Sequence, residues 1–139
     1  MSEKDPKDGP VKTASVLSAV RIRQKAPAGH MHVIIAIDPK LGRELEVFAQ
    51  VGKSGGIPAG NLEAVCRMIS LFLRIGGSLE LVVEQLDGIG SNQSVPSKDG
   101  PVMSMGDALG KAIQKYLDAK AKYGLNAILT GEVDFEKEG

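Results

Sequence analysis

The tripeptide Gly52-Lys53-Ser54, within "VGKSGGIPAGN" (Val51 to Asn61), has the residue types that close a phosphate-binding loop. In such a loop backbone N–H groups wrap phosphate oxygens and the Lys-Ser pair opens a helix. The pattern also needs a glycine at its start, and Val47 stands there. The other glycines of the stretch follow the lysine. A Walker-type nucleotide site is therefore excluded. What remains is a strand-to-helix connection whose glycines allow close backbone approach, with Pro58 suited to the first helical turn. Lys53 and Ser54 then stand near a helix N-terminus, where an anion is favoured, and are the candidate anion contact.

His30-Met31-His32 puts two imidazoles on one strand face, with Glu44 or Glu46 available from a neighbouring strand. Zinc sites use three or four protein ligands, so the pair reads as a solvated sheet face. Cys66 is the only cysteine. That excludes an internal disulfide, a CxxC pair and a multi-cysteine zinc site. It lies on an apolar helical face with no histidine placed as its base, so it reads as a small core residue. Arg21, Arg23 and Lys25 form a basic row. The row is ordinary charged surface or a phosphate contact. Without interleaved aromatics, and with 17 basic residues balanced by 17 acidic ones, nucleic acid is not the expected partner. No acid/base pair, triad or metal cluster emerges. No catalytic residue and no bound cofactor are assigned.

The elements that must hold these residues follow from periodicity. "AVRIRQK" (Ala19 to Lys25), "HMHVIIAI" (His30 to Ile37) and "ELEVFAQV" (Glu44 to Val51) alternate with period two and are joined by short turns, "APAG" and "DPKLG". They predict a three-stranded antiparallel meander with one apolar face. On β-strand three, Leu45, Val47, Ala49 and Val51 are expected inward, and Glu44, Glu46, Phe48 and Gln50 outward. About three helices cover the apolar face. The first carries Leu62, Val65, Cys66, Ile69, Phe72 and Leu73 inward and Glu63, Arg67, Ser70 and Arg74 outward. It ends at Gly76-Gly77. A short second helix buries Leu79, Val82, Val83 and Leu86 behind a Ser78 cap. The last helix buries Met105, Leu109, Ala112, Ile113, Tyr116 and Leu117.

The fold class is α+β. Residues 1–14 read as a disordered tail, 15–124 as the folded domain, and 125–139 as an acidic tail. With aromatics at 4% and no tryptophan, the core must be aliphatic. The N-terminus "MSEKDPKDGP" lacks the apolar stretch of a secretory signal, and no apolar run is long enough for a bilayer. A reducing cytoplasm fits a lone cysteine.

"VFAQVGKSGG" followed by "LEAVCRMISLFLRIGGSLELVVEQLDGI" closely resembles the TSCPD domain found at the C-terminus of adenosylcobalamin-dependent ribonucleotide reductases. The resemblance runs through Gly52, Lys53, Gly55, Leu62, Glu63, Ala64, Arg67, Ile69, Ser70, Leu71, Leu73, Arg74, Gly76, Gln85, Leu86, Gly88 and Ile89. The naming motif Thr-Ser-Cys-Pro-Asp stands where this chain has "MSMGDALGKAI". Ser104, Asp107 and Ala108 match; Met103, Met105 and Gly106 depart. The resemblance implies that Gly52 to Gly56 is a structural junction. It implies a link to deoxyribonucleotide synthesis as a free-standing, non-catalytic accessory or regulatory subunit, or a reduced paralogue, with adenosylcobalamin belonging to a partner reductase. The cysteines of radical and disulfide chemistry, and the barrel that carries them in the family, have no counterpart in these residues. An independent nucleic-acid or phosphate-ligand module on the same scaffold is the alternative.

A chain without chemistry of its own is expected to act by docking on a larger reductase subunit, or on itself. Ile34 and Phe48, in the outward rows of adjacent strands, are the expected docking face, rimmed by Glu44, Glu46, His32 and Arg23.

Overall fold

The structure is a computed structural model; it describes residues 9–27, 29–52, 57–90, 96 and 101–133. Three strands come first: β1 (Ser18–Ala26), β2 (Gly29–Asp38) and β3 (Arg43–Val51). They pair antiparallel in the order β1-β2-β3, the predicted meander. Four helices follow: α1 (Ile57–Arg74), α2 (Leu79–Leu86), α3 (Met105–Tyr123) and α4 (Leu125–Leu129). The architecture is α+β, as the periodicities require.

Period-two alternation sets the faces. Val20, Ile22, Met31, Val33, Ile35, Val47 and Val51 are all buried and join one aliphatic cluster with Leu62, Cys66, Leu73, Leu109, Ile113 and Tyr116. The register places Val20, Ile35 and Val47 on one rung and Ile22, Val33 and Ala49 on the next. Gln24 lies in the same inward row and is buried. Its Nε2 donates to the Lys25 carbonyl at 3.2 Å.

The helices divide the work. α3 packs on β1 and β2, α2 packs on α3, and α1 packs on β3. Close contact between α2 and α3 depends on Gly110, where an added Cβ would stand 3.1 Å from the Leu86 Cβ. α1 stops at Gly76, whose φ of 110° suits a residue without a side chain. There the Gly77 N–H donates to the Phe72 carbonyl at 2.8 Å, and Arg43 donates to the Leu73 carbonyl at 2.9 Å. Ser78 caps α2, accepting from the Leu81 N–H.

Three inward or outward assignments change. Glu44, expected outward, is buried. The cause is one extra residue in β3: Ala36 pairs with Glu46, but Ile37 pairs with Glu44. A bulge of this kind breaks the alternation and brings Glu44 onto the Ile37 rung. Its Oε2 accepts from the Tyr116 hydroxyl and from Lys120 Nζ, both at 2.9 Å. Ser70, expected outward, is buried against β3. Val65, expected inward, is exposed, as are Met68 and Leu71.

At the ends, Val11 N–H donates to the Arg74 carbonyl at 2.9 Å. Past Gly124 the chain forms α4, with Ile128 buried against the main cluster. None of the helices among the described residues is long and apolar enough to cross a membrane.

Candidate docking surface

The free face of the sheet is built rung by rung. Arg21, Ile34 and Phe48 share one rung, and Arg23, His32 and Gln50 share the next. Ala19, Ala36 and Glu46 form the rung on the other side. Ile34 therefore stands directly between Arg21 and Phe48, on the face opposite the core. Phe48 is 48% exposed, and Ile34 is half-buried beneath its neighbours. Ile34 and Phe48 are thus brought together as the alternation predicts.

The rim differs from expectation. Glu44 has left this face for Tyr116 and Lys120. Glu46 remains, held by Arg74 at 3.6 Å. The charged neighbour on the Ile34 rung is Arg21, and Arg23 lies one rung away. Basic side chains dominate what is left: Arg21, Arg23 and Lys25 are exposed, as is His30.

Among the described residues the histidine pair does not acquire a third ligand. His32 faces Gln50, and Glu46 sits four residues along the sheet, roughly 13 Å away at strand rise. His32 Nδ1 is buried and has no hydrogen-bond partner among the described residues. Among the described residues no group of three or more His, Cys, Asp or Glu is placed to hold a metal ion. Lys53 and Ser54 lie outside the described residues.

Cys66 is buried. Burial pushes its thiol up to about 11, partly offset by the Ala49 backbone N–H. A thiol so raised is a poor nucleophile at neutral pH.

α1 does more than cover the core. Ser70 Oγ accepts from the Val47 N–H at 3.0 Å and donates to the Val47 carbonyl at 3.2 Å. The helix thus lies along the outer edge of β3, with Ser70 at Val47 and Cys66 at Ala49. Edge strands carry unpaired peptide groups; here Ser70 of α1 satisfies both of those of Val47. The polar stripe of α1 gave no sign of this, because a serine on a helix ordinarily faces water.

The Ser104-to-Asp107 stretch has an equally structural part. Ser104 Oγ accepts from the Asp107 N–H at 3.0 Å and donates to the Ile89 carbonyl. Asp107 is fully buried. Its carboxylate accepts from Gly88 N–H at 2.8 Å, Met103 N–H at 2.9 Å and Lys111 Nζ at 3.1 Å. Burial alone would raise its pKa, but the Met103 and Gly88 N–H groups and Lys111 outweigh that and lower it. Ser104 and Asp107 together fasten the turn after α2 to the start of α3.

Two surface grooves were not foreseen. One, of about 660 Å³, runs between α1 and α2 and is lined by Val65, Met68, Phe72, Leu81 and Gln85. The other, between α2 and α3, is acidic, with Glu80, Glu84, Asp87 and Asp118. The apolar signal was present in Val65 and Met68, but periodicity alone assigns such residues to the core.

Comparison with known families matches residues 12–117 to the TSCPD domain. No curated protein and no solved structure matches the chain.

Proposed function

The chain belongs to the TSCPD domain family, a domain known from ribonucleotide reductases, and from that premise we propose a role in deoxyribonucleotide synthesis. In this reading it is a non-catalytic accessory or regulatory partner of an adenosylcobalamin-dependent ribonucleoside-diphosphate reductase, acting in the cytoplasm. The observation that carries the reading is the match over residues 12–117. Two further features support it. Radical reduction of a ribonucleotide needs several reactive thiols, and the single cysteine here is buried with a raised pKa. The open face centred on Ile34 and Phe48 offers a small apolar patch in a charged rim, the anatomy of a protein contact. Adenosylcobalamin belongs to the partner in this scheme.

The test is association with such a reductase, followed by gel filtration of the mixed proteins. Co-elution that is lost in Phe48→Glu, with the circular dichroism spectrum retained, supports the role. A folded Phe48→Glu variant that still co-elutes removes the face from the account. Absence of any complex, with no change in reductase activity on adding the chain, removes the role itself. The second reading is a phosphate-ligand or nucleic-acid module, favoured by the single-sided row of Arg21, Arg23 and Lys25. Its sign is binding of a single-stranded oligonucleotide that weakens steeply with salt.

A further inference from the structure

Met68 of α1 is 65% exposed and Leu81 of α2 is 50% exposed. Both line the groove between the two helices. The buried Ile69, Val82 and Leu86 form its floor. Phe72 lies at the end where α1 turns into α2. A Cβ at Gly77 would stand 2.4 Å from its ring, so the glycine leaves the room that the ring occupies. The remainder of the chain carries no apolar stripe to fill the groove. In residues 1–8, 53–56, 91–95, 97–100 and 134–139 the large apolar residues are Met1, Val95 and Phe135, each alone in its segment.

The two banks of the groove differ in charge. On α1 the side chains turned to it are Ala64, Val65, Met68 and Phe72, all uncharged. The charged residues of α1 lie on its other flank and have partners: Glu63 pairs with Arg67 at 3.4 Å, and Arg74 with Glu46 at 3.6 Å. α2, with the sequence LELVVEQL, has no basic residue. Leu81 and Gln85 border the groove. Glu80 and Glu84 stand about 100° round the helix from them, exposed to solvent, and Asp87 continues the same stripe. One bank is therefore neutral and the other acidic.

We infer that the groove between α1 and α2 is a docking site for an amphipathic helix of a partner protein, with an apolar stripe on one face and lysine or arginine along the flank that meets α2. Such a helix is read through anchors at i, i+3 or i+4, and i+7. α2 has 8 residues and is about 12 Å long; three anchors span about 10.5 Å, so two turns of the partner match it. The flexible thioether of Met68 adapts to the shape of the anchors. A basic flank gains from Glu80, Glu84 and Asp87, and an acidic one is repelled. The same charges disfavour a second copy of this chain. A two-fold contact uses the same surface on both copies and would bring the carboxylates of two α2 helices together, with no cation on either helix. The groove belongs to the helices and is separate from the sheet face of Ile34 and Phe48, so neither contact requires the other.

The experiment is a titration of the isotopically labelled full chain, followed by NMR. The first probe is an alanine-based peptide of about 14 residues, long enough to form a helix, with leucine at i, i+4 and i+7 and lysine along one flank. The second has glutamate for lysine. The third is the lysine peptide with proline at its centre, which breaks the helix. The lysine peptide is expected to shift the signals of Val65, Met68 and Leu81. It is expected to bind about tenfold or more tighter than the glutamate peptide, a preference that narrows as salt rises. The proline peptide keeps every charge and is expected to bind about tenfold or more weakly than its parent. Met68→Ala/Leu81→Ala is expected to weaken the lysine peptide about tenfold. In Glu80→Lys/Glu84→Lys, preference is expected to pass to the glutamate peptide. Equal binding of the proline peptide overturns helix docking and leaves charge alone. Shifts confined to Val83 and Leu117 put the peptide between α2 and α3 and overturn the site. Shifts at Met68 and Leu81 that grow with protein concentration alone give the groove to a second copy and overturn the partner. No shift at millimolar peptide overturns the proposal outright. If a variant does not fold, the three peptides decide the matter on the unaltered chain.

Discussion

Ser70 and Val47 lie 23 positions apart in sequence, yet one hydroxyl answers both peptide groups of the valine, at 3.0 and 3.2 Å. The serine does for β3 what another strand would do. It supplies an acceptor for the N–H and a donor for the carbonyl. Ser70→Ala removes both and leaves two buried backbone groups unpaired. The expected loss is about 2–4 kcal/mol, since each orphaned group costs roughly 1–3. Urea unfolding of the two proteins measures it. Ser70→Thr keeps the hydroxyl and is expected to restore part of the loss. Equal stability of wild type and Ser70→Ala contradicts the sealing role.

Cys66 makes stability depend on pH in the alkaline range. Its thiol ionises near 9 when unfolded and near 11 when folded. Below about pH 9 both states are protonated and the contribution is constant. Between 9 and 11 the unfolded chain loses the proton first, so stability falls as pH rises. Other groups titrate there, so the quantity to measure is the difference between wild type and Cys66→Ala. That difference is expected to shift against the wild type above pH 9 and stay flat below it. Cys66→Ser is expected to cost about 1–3 kcal/mol through its buried hydroxyl.

Asp107 works in the opposite direction. Its folded pKa lies below the ordinary 3.8. Its contribution is therefore complete above about pH 4, where both states are ionised, and is lost as pH falls through the folded value. Asp107→Asn is expected to destabilise the chain at pH 7 by roughly 2–4 kcal/mol and to remove part of its acid sensitivity. Thermal unfolding from pH 7 to pH 3 tests both statements. An unchanged acid limb in the variant contradicts the assignment.

Tyr116 and Glu44 link α3 to the start of β3 across 72 positions. Burial, with the Glu44 carboxylate beside it, raises the tyrosine pKa. The hydroxyl thus stays protonated and remains the donor. Tyr116→Phe removes that donor but leaves Lys120 on Glu44, so the expected cost is about 1–2 kcal/mol. Glu44→Leu removes the acceptor and leaves Tyr116 and Lys120 together without it, and is expected to cost more. Denaturant midpoints rank the two variants. The reverse order contradicts the pairing described.

Much of this fold is readable from residue order. Period two fixes Val20, Ile22, Val33 and Ile35 inward and Ile34 and Phe48 outward, because a strand turns each successive side chain over. Short turns fix the antiparallel order. Three features escape that logic. "ELEV" (Glu44 to Val47) alternates polar and apolar without a break, so the extra residue that carries Glu44 inward leaves no trace in hydropathy. Ser70 sits among polar residues on α1, and nothing local distinguishes a serine facing water from one facing a strand edge. Asp107 three residues after Ser104 has helix-cap spacing, but its bonds to Gly88 and Met103 depend on how α2 meets α3. Each miss is a polar group satisfied by a distant partner, which no local period records.

α1 along β3 also fixes how many strands the sheet can gain. A sheet with two bare edges is bifunctional, like a monomer in a growing polymer, and can join neighbours on both sides without end. With Ser70 already occupying both peptide groups of Val47, this sheet cannot be bifunctional: its β3 side is closed, so the molecule cannot stand as an interior link in an edge-to-edge fibre.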